Sequence, residues 1–244
     1  MQTALVTGAS RGIGRAIALE FARQGYAVAA FYHRDETSAA SLLSELRALG
    51  ADAETFRADV ADRIQVEAAV SRANARFGHI DVLVNNAGIA LPQKLLGDCS
   101  PAEWERMLAV NVTGVYHLCR CVLPGMLARH EGRIINVSSV WGLCGASCEV
   151  PYSTAKAAVI GFTKALAKEV GPSGVTVNCV APGVVDTDMN AALPPEALEA
   201  LAEETPLGRR GSPADVAGCV LFLAGERGAF FTGQVLSPNG GFVI

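Results

Sequence analysis

Short apolar runs alternate with longer amphipathic runs along most of the 244 residues. The apolar runs predict strands at 3–7, 27–32, 53–58, 80–85, 133–138, 175–180 and 233–237. The amphipathic runs predict helices at 12–24, 101–130, 152–170 and 213–224. A further helix is predicted after the strand 27–32 and ends near residue 49. Strands that are apolar along their whole length are buried on both faces, and helices between them supply the crossovers of a parallel sheet. The pattern therefore predicts an α/β fold, a doubly wound parallel sheet of about seven strands with helices on both faces.

The alternation shows no internal repeat, linker or low-complexity tract, which predicts one domain over residues 1–244. Only the segment 184–211 departs from the pattern. It contains a short amphipathic helix at 194–204, P-P-E-A-L-E-A-L-A-E-E, with glycine and proline on either side. Irregular segments of this kind often cover a ligand, so we expect a lid around residues 186–211.

Composition narrows the class of protein. Half of the residues are hydrophobic and 18% are charged, which is typical of a globular chain. The net charge of −4 and the absence of a Lys/Arg cluster argue against nucleic acid as a partner. The opening M-Q-T-A-L-V-T-G is read as a buried strand, and the apolar run 216–225 is too short to cross a bilayer. These features predict a cytoplasmic protein with no membrane partner.

Cysteine and histidine give no sign of a metal site. None of the seven cysteines forms a C-x-x-C pair, and most lie in apolar segments, so we expect reduced, buried thiols. The four histidines, His33, His79, His117 and His130, are scattered along the chain. Metal binding requires such side chains at ligand spacing, so no metal is expected.

A glycine-rich stretch, T-G-A-S-R-G-I-G at 7–14, joins the first predicted strand to the first helix. Gly8 permits a tight turn, Gly12 lets a diphosphate approach the backbone, and Gly14 lets the helix pack close to the sheet. The helix N-terminus then offers free N–H groups and a positive dipole end to phosphates. By itself the stretch is also compatible with a turn whose glycines serve packing alone.

The residues after the second strand bear on the choice of dinucleotide. In a dinucleotide-binding fold this position reads the adenosine ribose: a carboxylate suits a free 2′-hydroxyl and a basic group suits a 2′-phosphate. Here His33 and Arg34 are basic, and Arg11 of the glycine-rich stretch can reach the same phosphate. Asp35 and Glu36 follow, and as early helix residues they are interpreted as N-terminal capping acids. The pattern favours NADP(H) over NAD(H).

Tyr152 and Lys156 lie four residues apart in P-Y-S-T-A-K, a spacing that places both side chains on one face of a helix. A free phenol titrates near ~10, so it is a poor base at neutral pH unless a neighbouring charge stabilises the phenolate. An ammonium one helical turn away supplies such a charge, which predicts that Lys156 lowers the pKa of Tyr152. The alternative is an incidental surface pair, since tyrosine and lysine at this spacing occur on many helices.

Six stretches taken together identify a family. In chain order they are T-G-A-S-R-G-I-G (7–14), D-V (59–60), N-N-A-G (85–88), S-S-V (138–140), Y-S-T-A-K (152–156) and A-P-G-V-V-D-T (181–187). Their types and order resemble the short-chain dehydrogenase/reductase family along essentially the whole chain. The resemblance implies a Rossmann-type fold and an oxidoreductase that uses a nicotinamide dinucleotide.

The resemblance also implies roles for individual residues. Tyr152 would be the general acid that protonates a substrate carbonyl, and Lys156 would hold the nicotinamide ribose. Ser139 would hydrogen-bond the carbonyl oxygen, and Asn111 would hold a water that connects Lys156 to solvent. The implied cofactor-binding residues, besides Tyr152 and Lys156, are Gly8, Ser10, Arg11, Gly12, Ile13, Gly14, His33, Arg34, Asp59, Val60, Asn86, Ala87, Gly88, Pro182, Gly183, Val185 and Thr187. Among these Asp59 would contact the adenine, 86–88 the adenosine ribose side and 182–187 the nicotinamide.

Within the family the chain resembles the 3-oxoacyl-[acyl-carrier-protein] reductases. The stretches that carry this are I-N-V-S-S, A-P-G-V-V-D-T-D-M, P-L-G-R-R-G-S-P-A-D-V-A and T-G-Q-V-L-S-P-N-G-G. The resemblance implies NADPH-dependent reduction of a 3-oxoacyl thioester in fatty acid synthesis, carried out by a homotetramer. It also places Arg129 where such enzymes carry a basic contact for the acidic carrier protein.

Two departures keep an alternative open. Those reductases commonly read G-Q-A-N-Y before the tyrosine, whereas this chain reads C-E-V-P-Y, and Ser173 replaces a second basic residue. The carboxylate of Glu149 would favour a cationic substrate, so Glu149 joins Ser139 and Tyr152 as a candidate substrate residue. The run W-G-L-C-G-A-S-C-E-V resembles a branch that reduces an aminopentanone group on a lysine of elongation factor P. A non-catalytic dinucleotide-binding protein is the remaining alternative, and loss of Tyr152, Lys156 or Ser139 would have favoured it.

Overall fold

Seven parallel strands form one sheet in the computed structural model of the protein, which describes residues 1–188 and 194–244. The spatial order of the strands is β3-β2-β1-β4-β5-β6-β7. The strands are β1 (Thr3–Thr7), β2 (Ala27–Tyr32), β3 (Ala53–Arg57), β4 (Val82–Asn85), β5 (Gly132–Val137), β6 (Val175–Val180) and β7 (Val235–Leu236). The predicted doubly wound α/β fold is confirmed.

Helices cover both faces of this sheet and bury two separate apolar cores. The helices are α1 (Gly12–Arg23), α2 (Glu36–Ala48), α3 (Arg63–Phe77), α4 (Pro101–Leu108), α5 (Gly114–Arg129), α6 (Trp141–Cys144), α7 (Val150–Val170), α8 (Pro195–Glu203) and α9 (Pro213–Ala224). Helices α1, α2 and α9 contribute to one core, and α3, α5 and α7 to the other. Alternate residues of a strand point to opposite faces, so Ala4 and Val6 of β1 enter the first core while Leu5 enters the second.

The predicted helix 101–130 is wrong in one respect, because the chain does not continue as a single α-helix. A π-helical turn, Ala109–Thr113, separates α4 from α5. Within that turn the Asn111 side chain pairs with the backbone of Ile89: its Oδ1 accepts from the Ile89 N–H at 2.8 Å and its Nδ2 donates to the Ile89 carbonyl at 2.9 Å. An added residue in a helical turn leaves the apolar periodicity nearly unchanged, so the sequence pattern does not reveal it.

The segment Pro101–Arg129 is also the one part of the described chain that is long and apolar enough to span a membrane by length and composition. Half of its most apolar window is buried inside the protein. Leu118 and Met126 of α5 are completely buried in the core that α3 and α7 share. The apolar character of this segment is therefore explained by packing within the domain.

The strand order reverses between β1 and β4, because the chain moves outward through β2 and β3 and then returns to the other side of β1. The crossover connections therefore leave these two neighbouring strands in opposite directions. In open parallel sheets, the resulting crevice beyond the carboxyl ends of the strands is where ligands bind. The glycine-rich stretch follows β1 and N-N-A-G begins at the end of β4, so both lie at this crevice.

Main-chain hydrogen bonds join the two ends of the predicted lid. The Gly211 N–H donates to the Val184 carbonyl at 2.8 Å, and the Asp186 N–H donates to the Gly211 carbonyl at 2.9 Å. Helix α8 lies between these ends. Residues 189–193 of the predicted lid lie outside the described residues, and the lid stays a prediction.

Close packing of α1 against the first turn depends on Gly14. A Cβ atom built at Gly14 would lie 2.2 Å from the Gly8 carbonyl oxygen and 2.4 Å from Asn86 Nδ2, whereas one built at Gly161 of α7 meets nothing within 4 Å. We therefore expect Gly14→Ala to reduce the free energy of unfolding by about 1–3 kcal/mol through overpacking. Gly161→Ala is the matched control, and we expect it to add up to about 1 kcal/mol because alanine favours helix.

Thermal or chemical denaturation of the two variants measures these changes. Opposite signs at the two positions are expected. Equal stability of both variants would show that the contact between Gly14 and Gly8 is not tight.

Candidate functional site

The glycine-rich turn is held to the end of β4 by hydrogen bonds to Thr7 and Gly8. Asn86 Nδ2 donates to the Thr7 carbonyl at 2.9 Å and to the Gly8 carbonyl at 3.3 Å. Thr7 Oγ1 accepts from the N–H groups of Asn86 and Ala87, both at 3.0 Å. Gly8 adopts φ 63°, a left-handed conformation that glycine tolerates. Asn86 and Ala87, predicted as ribose contacts, thus fix the turn, and their contact with ribose stays a prediction.

The N-terminus of α1 is open to a ligand. Among the described helices, α2, α3, α4 and α9 have their first N–H groups capped by a side chain, those of Asp35, Asp62, Ser100 and Ser212. The residue at the same position of α1, Arg11, provides no side-chain cap, and the first turn contains no acidic residue. Uncapped N–H groups at a helix N-terminus are suited to phosphate oxygens. The turn around Gly12 therefore fits a diphosphate group.

The stretch 181–187 lies on the other side of this turn. A Cβ atom at Gly12 would come within 3.6 Å of Thr187 Cγ2, so Thr187 faces the glycine-rich turn. The Pro182 carbonyl accepts from the Val140 N–H at 2.9 Å, and the Gly183 N–H donates to the Pro238 carbonyl at 3.2 Å. These bonds hold the stretch to the segments that follow β5 and β7. The structure thus brings Thr187 and Gly12 together, as the predicted cofactor site requires.

The remaining residues predicted from the glycine-rich turn and from D-V serve packing. Ser10 is buried and its carbonyl accepts from Arg15 at 3.2 Å, while Ile13 packs against the core of α1. Val60 is buried against Gly114, where an added Cβ would come within 2.8 Å of it. Contact of these residues with a cofactor stays a prediction.

Beyond β2 the guanidinium of Arg34 is available to a ligand, whereas the carboxylate of Asp35 is engaged. Arg34 is exposed and forms no ion pair within the described residues. Asp35 caps α2 by accepting from the Ser38 N–H at 2.9 Å, which confirms its interpretation as a capping acid. The Ser38 hydrogen bonds, with Arg11 as a smaller cause, hold the pKa of Asp35 below its usual value. A carboxylate engaged in this way is a poor partner for a ribose hydroxyl.

Asp59, the predicted adenine contact, belongs to a charged cluster with Arg106 and His33. Its Oδ2 accepts from Arg106 Nη2 at 2.8 Å and lies 3.8 Å from His33 Nε2, while Oδ1 accepts from the Ala61 N–H at 3.0 Å. Burial acts to raise the pKa of Asp59, but the Ala61 amide and Arg106 outweigh it and lower the pKa. Arg106, from α4, is a residue that the sequence did not reveal, since nothing in the spacing connects it to residue 59.

Ser139, Tyr152 and Lys156 meet where β5 ends and α7 begins. Helix α7 starts at Val150, so the predicted helical face that carries Tyr152 and Lys156 is confirmed. Lys156 Nζ donates to the Val137 carbonyl at 2.9 Å and lies 5.5 Å from the centroid of the Tyr152 ring. Ser139 forms a hydrogen bond with Tyr152. A phenol, a hydroxyl and an ammonium therefore converge beside the crevice.

The protein's own groups raise the pKa of Tyr152 to about 12. Burial is the largest cause, the Ser139 hydrogen bond opposes it, and the charge of Glu149 adds to it. Burial also lowers the pKa of Lys156 to about 8, because the ammonium has been removed from water. The prediction that Lys156 lowers the pKa of Tyr152 is therefore wrong for the protein's own groups. The group that lowers this pKa is the Ser139 hydroxyl and not the Lys156 ammonium, which is hydrogen-bonded to the Val137 carbonyl.

Asn111 and Lys156 approach each other across Gly88. A Cβ atom at Gly88 would lie 3.2 Å from Asn111 Oδ1 and 3.4 Å from Lys156 Nζ. Asn111 Nδ2 donates to Met107 Sδ as well as to Ile89, so the amide is already bound within the fold. Its predicted role in holding a water stays a prediction.

A pocket opens beside Tyr152. Its lining combines apolar and polar side chains: Leu91, Pro92, Lys94, Cys99, Met107, Cys148, Glu149, Pro151 and Tyr152. Glu149 Oε1 accepts from Gln93 Nε2 at 3.0 Å, and Lys94 pairs with Glu103 of α4. The candidate substrate residues Ser139, Glu149 and Tyr152 are thus neighbours. Gln93 and Lys94 were not found from the sequence, because the stretch 89–100, which follows N-N-A-G, contains no motif.

Arg129, the predicted carrier-protein contact, is largely engaged by its own fold. It donates to the Ile80 carbonyl at 2.8 Å and to the Gly125 carbonyl at 3.0 Å, and it lies 3.6 Å from Asp81. These bonds restrict the guanidinium to the surface below β4. Contact with a carrier protein stays a prediction, as do the homotetramer and the cytoplasmic location.

Known proteins share both the sequence and the fold. The family profile described as short chain dehydrogenase matches residues 2–197. The chain is 42% identical over 243 residues to the 3-oxoacyl-[acyl-carrier-protein] reductase FabG of Staphylococcus aureus. This match covers all of this chain and 98% of the relative. It is 43% identical over 244 residues to the 3-oxoacyl-[acyl-carrier-protein] reductase of Synechocystis sp., covering all of this chain and 97% of the relative.

A solved structure agrees with these relatives. The crystal structure of a 3-oxoacyl-[acyl-carrier protein] reductase from Brucella melitensis superimposes with a TM-score of 0.94 at 36% identity. The match covers all of this chain and 92% of that one. Profile, relatives and structure therefore agree with the motifs at the crevice, and the chain belongs to the short-chain dehydrogenase family of oxidoreductases.

Proposed function

We propose that the protein reduces a ketone to a secondary alcohol with NADPH, and that its substrate is a 3-oxoacyl chain held as a thioester on acyl carrier protein. The observation that carries this proposal is the convergence of Tyr152, Ser139 and Lys156 between the glycine-rich turn and the pocket. The names of the relatives from Staphylococcus aureus and Synechocystis sp. support the choice of substrate.

The cofactor would lie along the carboxyl ends of β1 and β4. The uncapped N-terminus of α1 and the turn around Gly12 would hold the diphosphate. Arg34, exposed and without an ion pair among the described residues, together with Arg11 would bind a 2′-phosphate. Thr187 would lie against the nicotinamide half. When bound, the dihydronicotinamide supplies the hydride that reduces the carbonyl carbon.

Tyr152 would donate the proton that the reduced carbonyl oxygen requires. With a pKa of about 12 the phenol is fully protonated at neutral pH, which is the state that a general acid needs. Ser139 would donate a hydrogen bond to the same oxygen, where negative charge develops. Lys156, fixed by the Val137 carbonyl, would bind the ribose and hold a positive charge close to the phenol.

A second candidate substrate is a ketone that carries an amine, such as an aminopentanone group on a lysine of elongation factor P. Glu149 favours it, because its carboxylate lines the pocket next to Tyr152. Gln93 is its one described hydrogen-bond partner there, so an oxygen of the carboxylate remains for a cation. Lys94, the nearest basic residue of the pocket, is already paired with Glu103.

The role of Tyr152 as the acid predicts that Tyr152→Phe binds NADPH normally but loses turnover by about 10²–10⁴-fold. Steady-state rates with an acetoacetyl thioester and a fluorescence titration with NADPH measure the two quantities. Tyr116→Phe, at a half-exposed position on α5, is the matched control and should retain turnover. Normal turnover by the Tyr152 variant would refute the assignment.

The role of Arg34 predicts a preference for NADPH over NADH. Loss of a charge-assisted hydrogen bond in Arg34→Ala should reduce kcat/KM for NADPH by about tenfold to a hundredfold and leave the value for NADH nearly unchanged. Arg47→Ala, at an exposed position on α2, serves as the control. A wild-type preference for NADH would overturn the 2′-phosphate assignment.

Glu149→Gln separates the two candidate substrates, since it keeps the shape of the side chain and removes its charge. If the amine-bearing ketone is the substrate, kcat/KM for that ketone should fall relative to the value for the acetoacetyl thioester. If the thioester is the substrate, the ratio of the two kcat/KM values should stay the same, or kcat/KM for the thioester should increase.

The same variant has a second expected effect. Because the Glu149 charge raises the pKa of Tyr152, its removal should lower that pKa, and the alkaline loss of reductase activity should begin at lower pH. An alkaline limb that stays in place would show that Glu149 does not act on the phenol.

A further inference from the structure

A chain of three buried polar side chains lies beneath the catalytic residues and takes no part in the proposed chemistry. Asn85 at the end of β4, Asn136 in β5 and Thr163 in α7 are all almost completely buried. Asn85 Nδ2 donates to Asn136 Oδ1 at 2.9 Å, and Asn136 Nδ2 donates to Thr163 Oγ1 at 2.9 Å. Thr163 Oγ1 in turn donates to the Val159 carbonyl at 2.8 Å. We call this set the Asn–Asn–Thr chain.

The roles of donor and acceptor are fixed along the chain. Thr163 Oγ1 donates to the Val159 carbonyl and accepts from Asn136 Nδ2. Asn136 must then present its NH₂ group to Thr163 and its oxygen to Asn85. A satisfied network of this kind in an apolar core favours one arrangement of the elements that carry it, because breaking it leaves buried polar atoms without partners.

Thr163 shares a face of α7 with the catalytic side chains. Residues 152, 156, 159 and 163 follow one another at spacings of four, three and four, which is one stripe along a helix. A slip of α7 by one residue would shift this stripe by about 1.5 Å and turn it by about 100°. The position of Thr163 relative to β5 therefore determines where the phenol of Tyr152 points.

The distance from the Asn136–Thr163 hydrogen bond to the level of the site is about the same along β5 as along α7. On β5, Ser139 lies three residues beyond Asn136, about 10 Å along an extended chain. On α7, Lys156 lies seven residues before Thr163, about 10.5 Å along the helix. The bond between Asn136 and Thr163 thus lies about 10 Å below the site on both elements, and equal lengths above it bring Ser139 level with Lys156. Tyr152, whose phenol interacts with the Ser139 hydroxyl, lies one helical turn further along the same face of α7.

A second pair of bonds joins the same elements at the level of the site. Ser138 Oγ donates to the Lys156 carbonyl at 2.7 Å, and Lys156 Nζ donates to the Val137 carbonyl at 2.9 Å. Two cross-links about 10 Å apart fix both the height and the tilt of a helix on a strand. The upper cross-link involves a catalytic residue, so the lower one is the support that is independent of the chemistry.

We propose that the Asn–Asn–Thr chain is a positioning device that sets the register of α7 on β5 and so holds Tyr152 opposite Ser139. The inference rests on the proposed ketone reduction. It assigns to Thr163 and Asn136 a contribution to kcat that acts through the placement of Tyr152, without contact to substrate or cofactor.

Thr163→Val tests the proposal, because it keeps the shape of the side chain and leaves Asn136 Nδ2 without an acceptor. We expect kcat for NADPH-dependent reduction of an acetoacetyl thioester to fall by about tenfold to a hundredfold, since displacement of a catalytic group by about 1 Å has an effect of that size. The dissociation constant for NADPH, measured by fluorescence, should stay unchanged. Thr163→Ser restores the hydroxyl and should restore kcat.

Val220→Ala is the matched control for a loss of stability alone. Val220 is completely buried on α9, in the core on the opposite face of the sheet. The Val220→Ala variant should have a lower melting temperature than the wild-type protein. Its kcat, measured well below that temperature, should be unchanged. If Thr163→Val does not fold, Thr163→Ala removes the same hydroxyl without branching at Cβ and replaces it in the comparison.

Two results would overturn the proposal: a Thr163→Val enzyme with wild-type kcat and a lowered melting temperature, or a Thr163→Ser enzyme as impaired as the valine variant. A wild-type protein without turnover on any ketone would refute the proposed function instead. The rate of the wild-type protein therefore distinguishes the two failures.

Discussion

The hydroxyl of Thr7 joins the two turns on which the whole site depends. It donates to the Val84 carbonyl at 3.3 Å and accepts from the N–H groups of Asn86 and Ala87. One side chain at the end of β1 thereby fixes the start of the glycine-rich turn against the chain that leaves β4. Because the crossovers of these two strands diverge, the space beyond them is open, and these bonds between the turns help to define its shape. These hydrogen bonds of Thr7 also help to position the uncapped N-terminus of α1, which follows the glycine-rich turn.

Burial shifts the pKa values of both Tyr152 and Lys156. It favours the neutral forms of both Tyr152 and Lys156, so the pKa of the phenol rises while that of the ammonium falls. The four-residue spacing of Tyr152 and Lys156 indicates an attraction between their side chains, but it does not reveal the loss of hydration that each one undergoes on burial. A raised phenol pKa is compatible with the proposed role of Tyr152, because a general acid must carry its proton when the substrate arrives.

The features that the sequence predicted well are those set by local chemistry. Continuous apolar runs correctly predicted the strands β1, β2 and β6. Gly14 correctly predicted the close packing of α1 against the sheet. Asp35 caps α2, as expected for an acidic residue at the start of a helix. The four-residue spacing of Tyr152 and Lys156 placed both on one face of α7. Each of these conclusions depends on residues that are close together in the chain.

The features that the sequence did not reveal depend on distant pairs. The ion pair of Arg106 with Asp59 joins residues 47 positions apart, and the bond of Asn136 with Thr163 joins residues 27 positions apart. The π-helical turn exists where Asn111 meets the backbone of Ile89, a contact across 22 positions. No periodicity encodes such contacts, since they arise only when the sheet has brought the elements together.

The paired ends of the segment between Val184 and Gly211 have a consequence for how this scaffold diversifies. Because main-chain hydrogen bonds close the segment at its base, β6 and α9 keep their positions whatever lies between. The entropy of closing a loop grows only slowly with its length, so residues can be added or removed there at little thermodynamic cost. Insertions and deletions between Val184 and Gly211 would therefore leave the crevice at the carboxyl ends of β1 and β4 unchanged.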